Sequence, residues 1–270
     1  MISLRSGQTE PMNRLAIHES AAPDLSPTEL VDLALRTGFD SIGLKVAHSR
    51  GADLWWRKGA GSAELGSMVE HLLINRVSVL DVGRIELGGP SDPESYRGVL
   101  DLSSRLGARY VTACGVPSAA EENTVEQEFG QLVVDADDYQ LIPLLIAQPG
   151  TGVTTTAHAL ELVRVTGGAV IITVSTGQPA LEIESQVLDA GNRLGYLRLL
   201  AEDLDTTTED RVAGLLATVP VHVPIAVGSA VAGRPAGDLD ARAAGWSRLI
   251  DRMLEHPLAR SHRLATAVER

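Results

Sequence analysis

Short apolar runs alternate with longer amphipathic stretches along nearly the whole chain. The first run is Leu15-Ala-Ile-His18. Ser26, Pro27 and Glu29 then read as N-cap, first helical residue and N3 partner of a capping box. That helix should run to Arg36 and stop at Gly38, a glycine placed to close it. Seven further strands are expected over residues 39–45, 77–82, 110–113, 141–146, 169–174, 195–200 and 221–227. Helices are expected over residues 64–75, 94–106, 121–137, 154–165, 181–192, 208–218 and 238–254. Runs apolar on successive positions suit parallel strands covered on both faces. Pro224 sits badly inside the eighth of them, because it donates no ladder hydrogen bond.

Eight strand–helix pairs in 270 residues predict a closed (β/α)8 TIM barrel. An open doubly wound sheet is the competing arrangement. It is weakened by the first strand's exit, Ile17-His-Glu-Ser-Ala-Ala22, which has none of the glycines of a dinucleotide-binding turn. No short repeat suggests a solenoid. Residues 1–13 are polar and read as a flexible leader with no signal peptide, and residues 14–270 as one barrel domain.

Composition sharpens this picture. Hydrophobic residues make up 44% but aromatics only 3%, so the core must be aliphatic. A net charge of −12 opposes nucleic acid and anionic membrane surfaces as partners. No apolar run reaches the ~18 residues of a membrane span. The single cysteine, Cys114, excludes an intrachain disulfide and suits a reducing, cytoplasmic setting.

Several segments carry a family resemblance. Arg36-Thr-Gly-Phe-Asp-Ser-Ile-Gly-Leu44 resembles the second strand of the sugar phosphate isomerase/epimerase family, the xylose-isomerase-like TIM barrels. Val77-Ser-Val-Leu-Asp-Val82 is similar to its third strand. Asp101-Leu-Ser-Ser-Arg-Leu-Gly-Ala-Arg-Tyr-Val111 is similar to the entry to its fourth, and Ala157-His-Ala-Leu-Glu-Leu-Val163 to the helix after its fifth. The likeness covers roughly residues 14–200 and consists of fold markers. It implies one divalent metal held by Glu, Asp, His and Glu at the ends of strands five to eight. This chain departs from that set. Ala147 and Gln148 stand at the first position, Thr173 and Thr176 at the Asp and its accompanying His, and strands seven and eight offer neither a His at the third position nor a Glu at the fourth. Hydroxyls, an amide and a methyl group lack the charge and donor strength that a divalent ion requires, so no metal and no cofactor are expected.

The remaining chemistry should lie at the C-terminal ends of the strands. His18, Lys45 and Glu202 are the catalytic candidates: an imidazole that titrates near neutrality, an ammonium that can hold an oxyanion, and a carboxylate able to act as a base. His48, Trp56, Arg84, Glu86, Gln148, Thr173 and Arg234 are the candidates for binding substrate. Each has a plainer reading. His18 could be a structural histidine, and Lys45 a solvated loop charge. Asp81 and Arg84 could form a buried ion pair, and Cys114 could be inert. Trp55 and Trp56 could cover the barrel's edge or an oligomer contact, and Glu202, Asp203 and Asp205 could be a solvated acidic loop.

The expected function is a metal-independent isomerase, epimerase or lyase that moves a proton next to the carbonyl of a small polyhydroxy or keto substrate. The alternatives are an inactive relative that binds a small ligand or a protein, and a metal enzyme with a relocated site built from His18, Glu19, His48 or Glu86. A homo-oligomer is compatible with all three.

Overall fold

The structure, a computed structural model, describes residues 14–45, 62–88, 93–116, 122–175, 178–204, 214, 216–217, 219–230 and 237–255. Eight parallel strands are hydrogen-bonded in chain order into a closed barrel. They are β1 (Leu15–His18), β2 (Ser41–Lys45), β3 (Ser78–Leu87), β4 (Tyr110–Gly115), β5 (Ile142–Ile146), β6 (Ala169–Val174), β7 (Leu194–Leu200) and β8 (Ile225–Gly228). The barrel closes where Leu15, Ala16 and Ile17 pair with Ile225, Ala226 and Val227. The open-sheet alternative is thereby excluded.

Among the described residues the helices are α1 (Pro27–Thr37), α2 (Ser62–Asn75), α3 (Pro93–Arg105), α4 (Glu122–Asp137), α5 (Thr156–Thr166), α6 (Ala180–Ala190), α7 (Ala201–Leu204) and α8 (Leu239–Glu255). The helix expected over 208–218 lies largely outside the described residues. The start of α1 has the expected chemistry. Ser26 accepts from the Glu29 N–H, Glu29 accepts from the Ser26 N–H, Pro27 opens the helix, and Gly38 closes it at φ 84°. None of the described helices is long and apolar enough to cross a membrane.

Two of the boundaries that differ from the sequence expectation bear on the site. β8 begins after Pro224 instead of running through it, as a residue without an N–H requires. Its mouth-facing end is Gly228, one residue beyond the expected Val227. β3 runs on to Leu87 through a register shift between Gly83 and Ile85, which adds a residue without breaking the pairing to β4.

The core has two layers. Alternate strand residues, among them Ile17, Ile42, Leu44, Val82, Ile172 and Leu197, pack outward against the helices. The other set fills the barrel: Ala16, Leu80, Tyr110, Cys114, Leu144, Ile146, Ala169, Ile171, Tyr196 and Ala226. The interior is thus a packed core whose inward positions become polar only towards the C-terminal ends.

Candidate functional site at the barrel mouth

β1 ends on His18. Its Nδ1 accepts the Ser20 backbone N–H at 3.0 Å and lies 3.0 Å from Ser20 Oγ. An acceptor nitrogen carries no proton, so in the neutral ring the proton sits on Nε2. Nε2 faces Asp81 Oδ2 at 3.9 Å. Burial holds the imidazole below its ordinary pKa, an effect that the nearby Asp81 carboxylate opposes. His18 is therefore built as a neutral donor.

Gly43 of β2 makes room for this arrangement. A Cβ there would lie 2.4 Å from Asp81 Oδ1 and 2.4 Å from His18 Cδ2. Asp81, from β3, is 1% exposed. Its Oδ2 accepts the Thr112 hydroxyl at 2.8 Å and the Tyr196 hydroxyl at 3.1 Å, while Oδ1 is buried with no hydrogen-bond partner. Burial above all, with the Asp81 charge added, raises the Tyr196 phenol well above its usual range, so it remains a donor.

Asp81 is not paired with Arg84, contrary to one sequence reading. The register shift at Gly83 and Ile85 places Arg84 near Cys114, and Glu86 pairs in register with Cys114. Burial pushes the Cys114 thiol up to about 11, an effect only partly opposed by Arg84, so the cysteine is a buried, protonated thiol.

Glu19 and Lys45 stand at adjacent strand ends. The Lys45 backbone N–H donates to Glu19 Oε2 at 2.7 Å. Burial raises the Glu19 pKa, and the Lys45 contacts oppose that rise. Glu202 lies in the first turn of α7, just past β7, rather than in a strand end or a loop. Its Oε1 accepts the Ala230 N–H at 2.9 Å. The neighbouring Ser229 N–H donates to Ser20 Oγ at 3.0 Å, so the exit of β8 ties the Glu19 and Glu202 sides together.

Gln148 follows β5 in a tight turn, with its N–H on the Val153 carbonyl at 2.8 Å. Thr173 is at the end of β6, with a buried hydroxyl that has no partner. His18, Lys45, Arg84, Glu86 and Thr173 thus lie in the C-terminal parts of strands, and Gln148 and Glu202 just past the ends of β5 and β7. His48, Trp56, Thr176 and Arg234 fall outside the described residues.

The sequence reading passed over Arg198, Tyr196, Thr112 and Gly43. Arg198 is paired in register with Thr173 and lies against Gly228, where a Cβ would come 3.1 Å from its Cδ. Its Nε is buried without a partner, and the side chain makes no hydrogen bond or ion pair among the described residues. Burial lowers its pKa, but a guanidinium remains protonated.

The fold is that of the xylose isomerase-like TIM barrels. The D-allulose 3-epimerase of Methylomonas sp. superposes with a TM-score of 0.70 at 17% identity, over 90% of this chain and 98% of that one. An L-ribulose 3-epimerase gives a TM-score of 0.69 at 17% identity, over 96% and 99%. The IOLI protein with a binding zinc atom gives 0.65 at 13% identity, over 90% and 98%. No protein-family model matches the sequence, and no curated protein matches it.

The residues of this mouth do not fit a family-type metal. Among those described, no three His, Cys, Asp or Glu side chains come together as a metal-binding group. The inward positions that close β6, β7 and β8 are Thr173, Arg198 and Gly228. A fixed guanidinium repels a divalent cation, and a hydroxyl beside it does not compensate.

Proposed function

We propose that the barrel mouth is the substrate site of a metal-independent isomerase or epimerase that moves a proton next to the carbonyl of a small polyhydroxy or keto substrate. The observation that carries this reading is the state of Glu19. Its carboxyl is partly desolvated, one oxygen is fixed by the Lys45 N–H at 2.7 Å, and its pKa is raised towards the range in which a base works best.

In this reading Glu19 takes the proton from the carbon beside the carbonyl. The C–H electron pair moves into the new C=C bond, and the carbonyl π pair moves onto oxygen. Lys45 and the Nε2–H of His18 stabilise the resulting enolate oxygen. Glu202, across the exit of β8, is the second carboxylate, which can relay a proton taken up from solvent to the carbon from another direction. Arg84, Glu86, Gln148 and Thr173 line the pocket and orient the substrate. Because the described residues of the mouth bring no metal-ligating group together, the proton step is assigned to side chains alone.

A second reading, a barrel that binds a small ligand without turning it over, is favoured by the same loss of acids at the ends of β5 to β8. Proton exchange separates the two. Sugars and keto acids are incubated with the protein in D2O, and deuterium at the carbon beside the carbonyl is followed by NMR. Exchange that survives chelator and falls at least about 100-fold in Glu19→Gln is expected, the scale of a general base. Exchange that stops with chelator and returns with added metal would overturn the proposal. Binding without exchange would favour the second reading.

A further inference from the structure

Arg198 has no role in the proton transfer described above, yet among the described residues its Nε is buried with no hydrogen-bond partner. A buried guanidinium is normally paired, because its five donors lose their water on burial. Here Nε is buried with no acceptor, and the side chain makes no hydrogen bond or ion pair among the described residues. The adjacent Thr173 hydroxyl, its partner in register, is also buried and unsatisfied. Both groups can donate, and they are next to each other at the same end of the barrel.

The acids nearest Arg198 make no ion pair with it among the described residues. Asp81 uses Oδ2 on Thr112 and Tyr196, and Glu202 uses Oε1 on the Ala230 N–H. Gly228 makes room for the stem of Arg198 on the β8 side, since a Cβ there would lie 3.1 Å from its Cδ. The result is a fixed positive charge with unfilled donors and a neighbouring hydroxyl, at the place where the fold could otherwise have carried acids. What completes such a set is an oxyanion.

We infer that Arg198 and Thr173 form a binding site for an anionic oxygen group, a carboxylate or a phosphoryl group, on the small molecule that enters the barrel mouth. The substrate class is therefore an acid or a phosphate ester of a polyhydroxy or keto compound, not a neutral sugar. This rests on the reading that the mouth is where the substrate binds. It does not depend on Glu19 acting as a base.

The test is calorimetric titration of the full chain at constant ionic strength with four probes: gluconate and pyruvate as carboxylates, inorganic phosphate, and neutral glucose. Gluconate, pyruvate or phosphate is expected to bind with millimolar or better affinity, and glucose at least about 10-fold more weakly. Gluconate and pyruvate against phosphate identify which anion the site takes. Arg198→Met should weaken the anion at least about 10-fold, whereas Arg36→Met, which removes an exposed guanidinium far from the mouth, should leave it unchanged. Arg198→Lys keeps the charge but loses the fork, and should fall between. Circular dichroism checks that each variant is folded. No anion binding to the wild-type chain, or binding that Arg198→Met leaves intact, overturns the inference. Anion binding lost in Arg198→Met with no proton exchange on any substrate leaves it standing while the isomerase reading falls. Exchange on neutral sugars that Arg198→Met does not alter has the opposite result.

Discussion

Replacing Gly43 by alanine tests the packing beneath the site. The backbone at Gly43 does not have a positive φ, so alanine is conformationally acceptable there, and the whole cost arises from contact. The added methyl would lie 2.4 Å from Asp81 Oδ1, 2.4 Å from His18 Cδ2 and 3.2 Å from His18 Cγ. Neither side chain can retreat cheaply. Asp81 is held by two hydroxyls, and His18 by the Ser20 backbone and hydroxyl. Overpacking costs about 1–3 kcal/mol, and disturbing a hydrogen bond to a carboxylate about 1.5–3 kcal/mol. The lower entropy of the unfolded alanine chain returns about 0.4–1 kcal/mol. The net expectation is a loss of about 2 kcal/mol or more in urea unfolding, with an unchanged m-value. Gly245→Ala is the control. It lies inside α8, where an added Cβ meets no heavy atom within 4 Å, and should gain about 0.5–1 kcal/mol from helix propensity. A Gly43→Ala protein within about 0.5 kcal/mol of wild type would refute the packing argument.

Other perturbations follow from the same geometry. The His18 pKa is lowered from 6.5 in the folded chain, so the unfolded chain binds that proton more readily; stability is complete above about 6.5 and falls as pH drops towards the folded value. His18→Gln should lack that part of the slope, and identical urea stability profiles between pH 7.5 and 5 would contradict it. Cys114, with its thiol at about 11 and fully buried, should not react with a thiol reagent at pH 8 until the chain is unfolded; rapid labelling of the native protein would contradict that. Ser26→Ala removes the hydroxyl that accepts the Glu29 N–H while keeping the backbone N–H that Glu29 accepts, and should cost about 1 kcal/mol in thermal or urea unfolding.

The sequence was informative where each residue acts through its own run. The α1 cap was readable from Ser26, Pro27 and Glu29 because its partners are three residues apart. His18, Glu19 and Lys45 were readable because polar residues that end apolar runs lie at strand exits. Arg198, Tyr196 and Thr112 were not, because they sit inside apolar runs and their importance depends on which face of the strand turns inward. That face cannot be counted off reliably when register shifts occur between Ile42 and Gly43, Gly83 and Ile85, and Val170 and Ile171. The shift in β3 is also why Arg84 was assigned to Asp81 and is found near Cys114. A signal for Arg198 did exist: it is the only charged residue in Leu194–Leu200, and charge inside a barrel strand needs a reason. Gly43 was likewise marked by being a glycine within a strand, which often indicates close approach by another group.

The stability of Arg198→Met decides whether this arginine belongs to the scaffold or to a site. Tyr196 and Arg198 are two residues apart on β7, so they face the same way at different heights in the barrel. Tyr196 lies lower and donates to Asp81, which is already held by Thr112. Arg198 lies one step nearer the mouth, beside Thr173 and Gly228, neither of which carries a charge. The stacking of inward layers thus keeps a buried carboxylate and a guanidinium close without pairing them. A scaffold arginine bonded to Asp81 would cost about 3–5 kcal/mol on removal, because its carboxylate would be left uncompensated. An arginine desolvated without a partner has nothing of that kind to lose. Methionine fills similar volume without its desolvation cost, so the ligand-free variant should be at least as stable as wild type in urea unfolding. A loss of about 3 kcal/mol would place Arg198 in the scaffold and remove the reason for assigning it an anion.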